Sequence, residues 1–295
     1  MSPKPDEGAG LSVVVPAYNE AAALGSVLDE LTAKLTSLEV PWEVLVVDDG
    51  STDGTGDALA GRSDVTVIRH AKNRGYGASL KTGIDRSRFS HVLFFDADGQ
   101  FDPQEIPELH RVGREADMAA GKRGGDSDAP ILRRPGKKIL AWTANYLAKT
   151  RIPDLNCGYR VVRRDLLLRH RHLLPDTFSA STTLTLLLLK GGYDVRFVPV
   201  RIRRRTGTSS VNILSDGFDT LMLIVRLITL LDPLRVFLPA SGIMFLLAVA
   251  WGLRYFLVNG VISMATLFLL ISAVLTFFIG LLADQVAALR REYHP

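Results

Sequence analysis

From Leu11 to about Val200, the chain alternates short apolar runs with longer segments of helical periodicity. Five runs rich in valine, isoleucine and phenylalanine have the length of buried strands: Leu11–Val15, Glu43–Val47, Val65–Ile68, Val92–Phe95 and Val195–Val200. Segments with helical spacing lie between them: Ala21–Leu38, Asp53–Ala60, Ala78–Arg86 and Ile106–Glu115. This order of elements predicts an α/β fold with a Rossmann-like, mainly parallel sheet covered by helices on both faces.

The C-terminal part is apolar almost throughout and predicts a membrane anchor. Val236–Val258 has Arg254 as its one charged residue, and Val261–Ala283 has none. A helix needs about 20 residues to cross the hydrocarbon layer, so both are long enough to form a transmembrane hairpin. A hairpin buried in a soluble protein is the alternative. The preceding Ile213–Leu231 is apolar but carries three charges, so we expect it to lie in the membrane interface, with a core helix as the alternative.

Arginine is frequent on both flanks of this predicted hairpin and absent from its Asn259-Gly260 turn. The flanking arginines are Arg201, Arg203, Arg204, Arg205, Arg290 and Arg291. Because positively charged flanks stay in the cytosol, we expect an integral membrane protein with a cytosolic catalytic domain. The expected segments are a flexible N-terminus without a signal-peptide core (1–10), a catalytic domain (11–212), an interfacial region (213–235), two transmembrane helices (236–283) and a cytosolic tail (284–295).

The formal net charge of +4 suits an anionic partner. Because no basic patch has aromatic residues interleaved with it, we expect membrane lipid and phosphate as partners and no nucleic acid. Cys157 is the single cysteine, so it cannot form an internal disulfide, and we interpret it as a small buried apolar residue. The sequence leaves open whether the protein forms a homo-oligomer.

Polar clusters follow the predicted strands at the sheet edge where ligands bind in open α/β folds. The stretch PAYNE follows the first strand, and DDGSTDGT follows the second. Paired acids such as Asp48 and Asp49 are costly at a buried strand end unless they bind something, and carboxylates can accept hydrogen bonds from a base or a ribose. Asp53 in the same stretch can cap the next helix.

A third cluster, FFDADGQFDP, places Asp96 and Asp98 directly after an apolar strand. A calcium loop of the EF-hand type needs glycine at its sixth position and glutamate at its twelfth, but Phe101 and Pro107 stand there. An ordinary polar turn does not require two acids. A divalent metal site explains them better: Asp96, Asp98 and the carbonyl of Gln100 are oxygen ligands that suit Mg²⁺ or Mn²⁺, which would neutralise a diphosphate.

The stretch RGYGASLKTG does not fit either common phosphate loop, since it has neither GxGxxG nor the glycine before Lys81 that a Walker A loop needs. A dehydrogenase and a P-loop ATPase are therefore disfavoured. Lys72, Arg74 and nearby backbone N–H groups can still steer a nucleotide, or the segment can be a solvated surface loop.

Taken together, VVPAYNE, VVDDGSTDGT, KNRGYGASLKTG, FFDADGQFDP and DLNCGYRVVRR occur in an order that resembles the family 2 glycosyltransferases of the GT-A fold. The nearest subgroup resembles the polyprenyl-phosphate glycosyltransferases, which include dolichol-phosphate mannose synthases and enzymes that make undecaprenyl-phosphate sugars. The resemblance covers about Leu11 to Asn212 and extends to the C-terminal hairpin. It implies a metal-dependent transfer of one hexose from a nucleotide-sugar, either GDP-mannose or a UDP-hexose, to a polyprenyl phosphate.

The resemblance also implies roles for individual residues. The residues expected around the nucleotide are Pro16, Tyr18, Glu20, Asp48, Asp49, Lys72, Arg74 and Gly75. The residues expected to hold the metal are Asp96, Asp98 and Gln100. Arg123 and Arg134 (with Arg133 as its rival) are expected at the acceptor phosphate, and Asp154 near the sugar. Arg204 matches the arginine three residues before the glycine of the family's R-x-x-G-x-S-K loop. Asp154 can orient a sugar hydroxyl or cap a turn. Ser210 stands where the family has a lysine, which removes one expected phosphate contact.

The chemistry of the implied reaction fits this set. A phosphate monoester has a second pKa near 6, so the acceptor is already a nucleophilic oxyanion at pH 7 and needs no strong general base. Two other interpretations remain. A processive polysaccharide synthase of the same fold would carry a QxxRW motif, which Trp42, Trp142 and Trp251 do not form. A nucleotide-sugar sensor without catalysis would not need Asp96, Asp98 and Asp154.

Overall fold

The computed structural model describes residues 9–124, 145–146, 152–155, 157–203 and 232–292. The chain divides into two compact units, Met1–Lys137 with Thr150–Asn212 and Lys138–Lys149 with Ile213–Pro295. The predicted interfacial helix Ile213–Leu231 lies outside the described residues.

The first unit is built on a sheet of seven strands. These are β1 Leu11–Ala17, β2 Trp42–Asp48, β3 Thr66–Arg69, β4 His91–Phe94, β5 Met118–Arg123, β6 Arg160–Arg163 and β7 Val195–Val200. Their order is β3-β2-β1-β4-β6-β5-β7. Every pairing is parallel except those of β6, which runs antiparallel to both β4 and β5. The prediction of a mainly parallel α/β sheet is confirmed.

Helices cover both faces of this sheet. They are α1 Ala21–Thr36, α2 Thr55–Ala58, α3 Tyr76–Arg86, α4 Ile106–Glu115, α5 Arg164–His170 and α6 Ala180–Lys190. Alternate residues of β1 explain the two layers: Val13 and Val15 belong to the apolar cluster that contains α1, while Val14 packs with Leu80 and Ile84 of α3. This alternation of side chains along a strand gives the sheet two buried faces.

The reversed direction of β6 brings a distant segment to the carboxyl edge of the parallel strands. Arg160, the first residue of β6, pairs with Phe94 at the end of β4 and with Ala120 of β5. The N–H of Gly121 donates to the carbonyl of Tyr159 over 2.8 Å. The residues that directly precede β6 therefore lie where β4 and β5 end, beside the DADGQ turn.

The second unit contains two long apolar helices, α7 Leu234–Asn259 and α8 Met264–Glu292. Their spans of membrane-crossing length, Leu234–Asn259 and Met264–Leu289, have mean hydropathies of 2.0 and 2.5. Only 11% and 17% of the residues in their apolar windows are buried, the opposite of what a soluble core hairpin requires. The two helices pack closely at Gly252, where a Cβ would lie 2.6 Å from Cγ2 of Thr266.

The turn of the hairpin is as expected, with Gly260 ending α7 in the left-handed conformation at φ 71°. Helix α8 continues to Glu292, beyond the predicted end of the apolar segment at Ala283. The apolar pattern marks only the part of a helix that matches the hydrocarbon layer. Good helix formers such as alanine, leucine and arginine extend it further.

A pair of histidines lies at the opposite end of the sheet from the polar loops. The rings of His91 and His110 meet edge to face with centroids 6.0 Å apart. Burial, followed by the charges of His91 and Arg114, lowers the pKa of His110 to about 4. Burial also lowers the pKa of His91, assisted by Arg114 and Arg163.

We expect the protein to lose stability as the pH falls from about 6.5 towards 4. A histidine with a lowered folded-state pKa is neutral in the fold across this window but protonated in the unfolded chain, so acid favours unfolding. Thermal unfolding measured at pH 7 and pH 5 should show a smaller acid-induced drop for His110→Gln than for the wild type. His172→Gln, at an exposed position, is the control, and an equal drop in all three proteins would contradict the assignment.

Candidate active site

The loops after β1 and β2 are joined into one structure by short polar contacts. Asn19 adopts a left-handed φ of 55°. Its N–H donates to Oγ of Ser51 over 3.0 Å, and its side-chain oxygen accepts from the N–H of Thr52 over 2.9 Å. Asp53 accepts from the N–H of Ala21 at the start of α1 over 3.1 Å, as well as from the N–H of Thr55 over 3.0 Å. Asp53 thus caps α1, the helix after β1, and also the start of α2, the helix that follows Asp53 itself.

Asp48 presents a buried carboxylate at the end of β2. Its Oδ1 accepts from the N–H of Ser51 over 2.9 Å. Its Oδ2 lies 3.2 Å from Nε of Arg69 but makes no hydrogen bond among the described residues. A buried carboxylate oxygen with unused acceptor capacity is costly in the fold alone, which suits a group that accepts a hydrogen bond from a ligand.

Asp49 has both carboxylate oxygens engaged by the protein. Oδ1 lies 2.6 Å from Nδ1 of His70 and accepts from the N–H of Arg74 over 3.0 Å, and Oδ2 accepts from the N–H of Gly75 over 2.8 Å. His70 in turn lies 2.9 Å from Oγ1 of Thr82 through Nε2. Asp49 therefore fixes the Lys72–Gly75 loop, and its expected direct contact with a nucleotide stays a prediction.

Other residues expected around the nucleotide lie on the same edge. Pro16 belongs to β1 and pairs with Val47, and Tyr18 is 45% exposed just beyond it. The N–H of Glu20 donates to Oγ1 of Thr55 over 3.0 Å. The side chains of Lys72 and Arg74 are exposed, which leaves their charges accessible to an anion.

Gly75 is required by its surroundings. Its φ is +100°, and a Cβ at this position would lie 2.4 Å from the carbonyl oxygen of Asp176. A side chain here would push the loop off Asp49 or the 174–178 segment off α3.

The DADGQ turn follows β4 and carries the expected metal ligands. Asp96 and Asp98 are half-buried, and Oδ1 of Asp98 accepts from the N–H of Gln100 over 3.0 Å. The carbonyl of Gln100 accepts from the N–H of Arg203 over 2.8 Å. Within the described ranges, no three His, Cys, Asp or Glu residues are grouped closely enough to hold a metal ion. A cation here would therefore depend on two carboxylates and on oxygens of its substrate, which is how Mg²⁺ is commonly held.

An aromatic cluster supports this turn from below. The rings of Phe101 and Tyr159 stack with centroids 4.5 Å apart, and Phe95 meets both edge to face. The hydroxyl of Tyr159 donates to the carbonyl of Asp102 over 2.9 Å. Because these rings are buried and packed against one another, they hold the neighbouring turn, and with it Asp96 and Asp98, in a fixed conformation.

Tyr76 lies beside the DADGQ turn and was not among the site residues predicted from the sequence. Its hydroxyl donates to Oδ1 of Asp96 over 2.9 Å. Burial and the charge of Asp96 raise the pKa of Tyr76 well above its usual value, so the hydroxyl stays a donor. The one available signal was its place directly after Gly75. A donor on one carboxylate oxygen fixes the orientation of the acid, as outer partners do for carboxylates that ligate a metal.

We expect Tyr76→Phe to weaken Mn²⁺ binding about 10-fold, because an unsupported ligand must be ordered when the metal binds. The titration is made with purified protein and a nucleoside diphosphate, followed by the electron paramagnetic resonance of free Mn²⁺. Tyr193→Phe removes a hydroxyl that lies 3.5 Å from Nη1 of Arg169, outside the site, and serves as the control. An unchanged Mn²⁺ affinity in Tyr76→Phe would mean that this hydroxyl does not orient a metal ligand.

Arg123 and Asp154, which the sequence singled out separately, form one ion pair. Nε of Arg123 donates to Oδ2 of Asp154 over 2.7 Å, and Nη2 donates to Oδ1 over 2.9 Å. The backbone N–H of Arg123 also donates to Oδ2 over 3.2 Å. These hydrogen bonds raise the pKa of Arg123, with the nearby charge of Asp96 adding a smaller effect in the same direction. The guanidinium thus stays charged at the end of β5.

Arg160 is a second cation at this edge that sequence reasoning missed. Its side chain is fully buried. Nη1 donates to the carbonyl of Ser181 over 2.6 Å and to Oγ1 of Thr185 over 2.8 Å, and Nη2 donates to the carbonyl of Cys157. Burial lowers the pKa of Arg160, and the charges of Asp96 and Asp154 counter that effect. Arg160 therefore contributes positive potential behind the two acids.

Two candidates for the acceptor phosphate lie outside the described residues, Arg133 and Arg134. So do Arg204 and Ser210, which match the family's R-x-x-G-x-S-K loop. The side chain of Arg203, the last described residue before Arg204, is committed to Glu30 and Asp102 at 2.6 and 3.0 Å. Its backbone contact with Gln100 fastens the described end of this segment beside the DADGQ turn.

Comparison with protein-family models gives two matches. Residues 12–171 match the model described as Glycosyl transferase family 2. Residues 232–289 match the model described as GtrB C-terminal hairpin, which covers both long apolar helices.

Two curated relatives are similar to part of this chain. The dodecaprenyl-phosphate galacturonate synthase of Rhizobium johnstonii is 33% identical over 176 residues, which is 55% of this chain and 50% of the relative. The undecaprenyl-phosphate 4-deoxy-4-formamido-L-arabinose transferase of Serratia proteamaculans is 29% identical over 187 residues, which is 59% of this chain and 57% of the relative. The chain thus spans about half the length of the curated relatives it matches.

A similar solved structure is the glucosyl-3-phosphoglycerate synthase of Mycobacterium tuberculosis in complex with Mn²⁺, uridine diphosphate and glucosyl-3-phosphoglycerate. It has a TM-score of 0.58 and 21% sequence identity, and the match covers 75% of this chain and 79% of the other. At this identity the likeness bears on the fold, and it confirms the GT-A architecture.

Proposed function

The chain belongs to glycosyl transferase family 2, and from this premise we propose that it transfers one hexose from a nucleotide-sugar to a polyprenyl phosphate. The observation that carries the proposal is the presence, in one chain, of the family 2 catalytic unit and a GtrB-type hairpin. The names of the two curated relatives support it, because each describes a sugar carried on a polyprenyl phosphate.

The donor would bind where β1, β2 and β4 end. Asp48 would offer its Oδ2, which makes no hydrogen bond among the described residues, to the base or ribose, and the loop that Asp49 fixes would offer Lys72 and Arg74 to the phosphates. Asp96 and Asp98 would hold Mg²⁺ or Mn²⁺, and Gln100 would supply an oxygen as the third protein ligand. When bound, the metal would neutralise charge on the diphosphate as it becomes the leaving group.

The acceptor phosphate is already an oxyanion at neutral pH, so direct attack on the anomeric carbon needs positioning and charge neutralisation rather than a base. Attack opposite the leaving diphosphate inverts the configuration of that carbon. Arg123 is a described cation suited to the acceptor phosphate, because the N–H groups of its guanidinium that do not bind Asp154 can still offer two donors to one phosphate. Arg134 or Arg133 and Arg204 are proposed as its partners, and Asp154 would orient both Arg123 and a hydroxyl of the sugar.

The hairpin gives this chemistry access to its lipid. Burial in hydrocarbon stabilises a polyprenyl chain by about 0.8 kcal/mol per CH₂, so the acceptor stays in the bilayer and the enzyme must work at its surface. The arginines on both flanks of the hairpin favour a cytosolic position for the catalytic unit.

A donor and acceptor screen tests the proposal. Purified protein is incubated with Mg²⁺ or Mn²⁺, undecaprenyl or dolichyl phosphate and a panel that includes UDP-glucose, UDP-galacturonate and GDP-mannose, and the lipid is analysed by mass spectrometry. We expect one sugar per lipid, and only when a divalent cation is present. Products with several sugars would favour a polysaccharide synthase, and binding without turnover would favour a nucleotide-sugar sensor.

A further inference from the structure

Phe178 is a large apolar side chain that the fold holds in solvent beside the candidate site. It is 82% exposed, more than any other large apolar residue described in the first unit. It lies in the segment that connects Leu174 with the start of α6 at Ala180. A single exposed apolar residue needs no explanation by itself, but one that lies beside a candidate ligand site offers an apolar face to that ligand.

The position of Phe178 is set by contacts of its segment with α3. The carbonyl of Asp176 accepts from the N–H of Gly77 over 2.8 Å. Nζ of Lys81 lies 2.5 Å from Oδ1 of Asp176 and donates to the carbonyl of Leu174 over 3.0 Å. A Cβ at Gly77 would lie 2.1 Å from the carbonyl oxygen of Pro175, so this close approach requires glycine.

The side chain of Tyr76 connects the ring of Phe178 with Asp96, one of the proposed metal ligands. Phe178 stacks on Tyr76 with ring centroids 5.2 Å apart and an interplanar angle of 18°. The hydroxyl of Tyr76 donates to Asp96 over 2.9 Å. A diphosphate neutralised by a cation at Asp96 carries its sugar on the next oxygen, so the sugar lies within a few bonds of this position.

We propose that the ring of Phe178 is the stacking face for the hexose of the donor, and thus a specificity-determining residue of the proposed transfer, on which this inference rests. A pyranose ring presents a face of C–H groups that packs well on an aromatic ring, while its hydroxyls point outward to polar partners. Phenylalanine has no hydrogen-bonding group, so its contribution depends on the shape of that C–H face. On this proposal the nucleoside diphosphate alone would make no contact with the ring.

The test separates the sugar from the nucleotide. Binding of UDP and UDP-glucose, of UDP and UDP-galacturonate, and of GDP and GDP-mannose is measured by calorimetry with Mn²⁺ and the purified full chain. For each pair that the wild type binds, we expect Phe178→Ala to weaken nucleotide-sugar binding about 5- to 20-fold, while binding of the nucleoside diphosphate stays within about 2-fold. Phe178→Trp should keep the affinity, and Phe178→Leu, which keeps apolar area without the flat face, should lose most of it.

Leu168→Ala is the control, because Leu168 is an exposed apolar residue of α5. Thermal unfolding checks that each variant is folded. Equal loss of nucleoside diphosphate binding, or no loss at all, overturns the proposal. A change confined to the KM for undecaprenyl phosphate also overturns it, since the ring would then face the isoprenyl chain. If the wild type binds no nucleotide-sugar, the proposed function itself fails, and that failure appears before any variant is compared.

Discussion

Asp98→Asn is expected to lower kcat about 10³-fold or more while the protein stays folded. The change keeps the size of the side chain and its acceptor oxygen, so the contact with the N–H of Gln100 can persist. It removes one of the two carboxylates on which a cation at the DADGQ turn would depend. Stabilisation of a leaving diphosphate by a metal amounts to several kcal/mol, and each 1.36 kcal/mol is a factor of ten in rate.

The measurement is a transfer assay across a range of Mn²⁺ concentrations, with thermal unfolding as the check on folding. Asp29→Asn removes an exposed acid of α1 that pairs with Arg62 at 2.7 Å, so it is a matched loss of charge far from the turn. Full activity of Asp98→Asn, or full activity of the wild type after removal of divalent ions, would contradict the metal assignment.

The sequence was informative about the fold wherever a strand was rich in valine, isoleucine or phenylalanine. It did not reveal β5, because MAAGKR is rich in small residues, or β6, because the two valines of RVVR lie between arginines. Such segments owe their strand conformation to neighbours rather than to intrinsic preference. The direction of β6 was equally hidden, since antiparallel pairing with β4 depends on how the chain returns and not on a local pattern.

The same distinction applies to the site. Asp48, Asp49, Asp96 and Asp98 follow strands that are visible in the sequence, so their shared edge could be predicted. The contact of Tyr76 with Asp96 joins residues 20 positions apart, and the pairing of Arg123 with Asp154 joins residues 31 positions apart. Both depend on the packing of α3 and the reversal of β6. Motifs identified the residues, but only the fold shows which of them act as pairs.

That pairing changes what is expected of Arg123. If it only contacted the acceptor phosphate, Arg123→Ala would remove one cation. Because its guanidinium also donates two hydrogen bonds to Asp154, the substitution removes both from a largely buried carboxylate that would lie close to two anionic substrates. Removing one member of such a pair is more harmful than losing the pair as a whole.

We therefore expect Arg123→Ala to lower kcat/KM for the polyprenyl phosphate about 10²- to 10³-fold, with donor affinity within about 2-fold of the wild type. The double variant with Asp154→Asn should be no worse than Arg123→Ala alone, so the coupling energy in a double-mutant cycle should equal in size the loss that Asp154→Asn causes by itself. Arg111→Ala, which breaks exposed ion pairs on α4, is the control. Additive losses would mean that the two residues act independently. A fall in donor affinity equal to the fall in kcat/KM would mean that Arg123 binds the donor and not the acceptor phosphate.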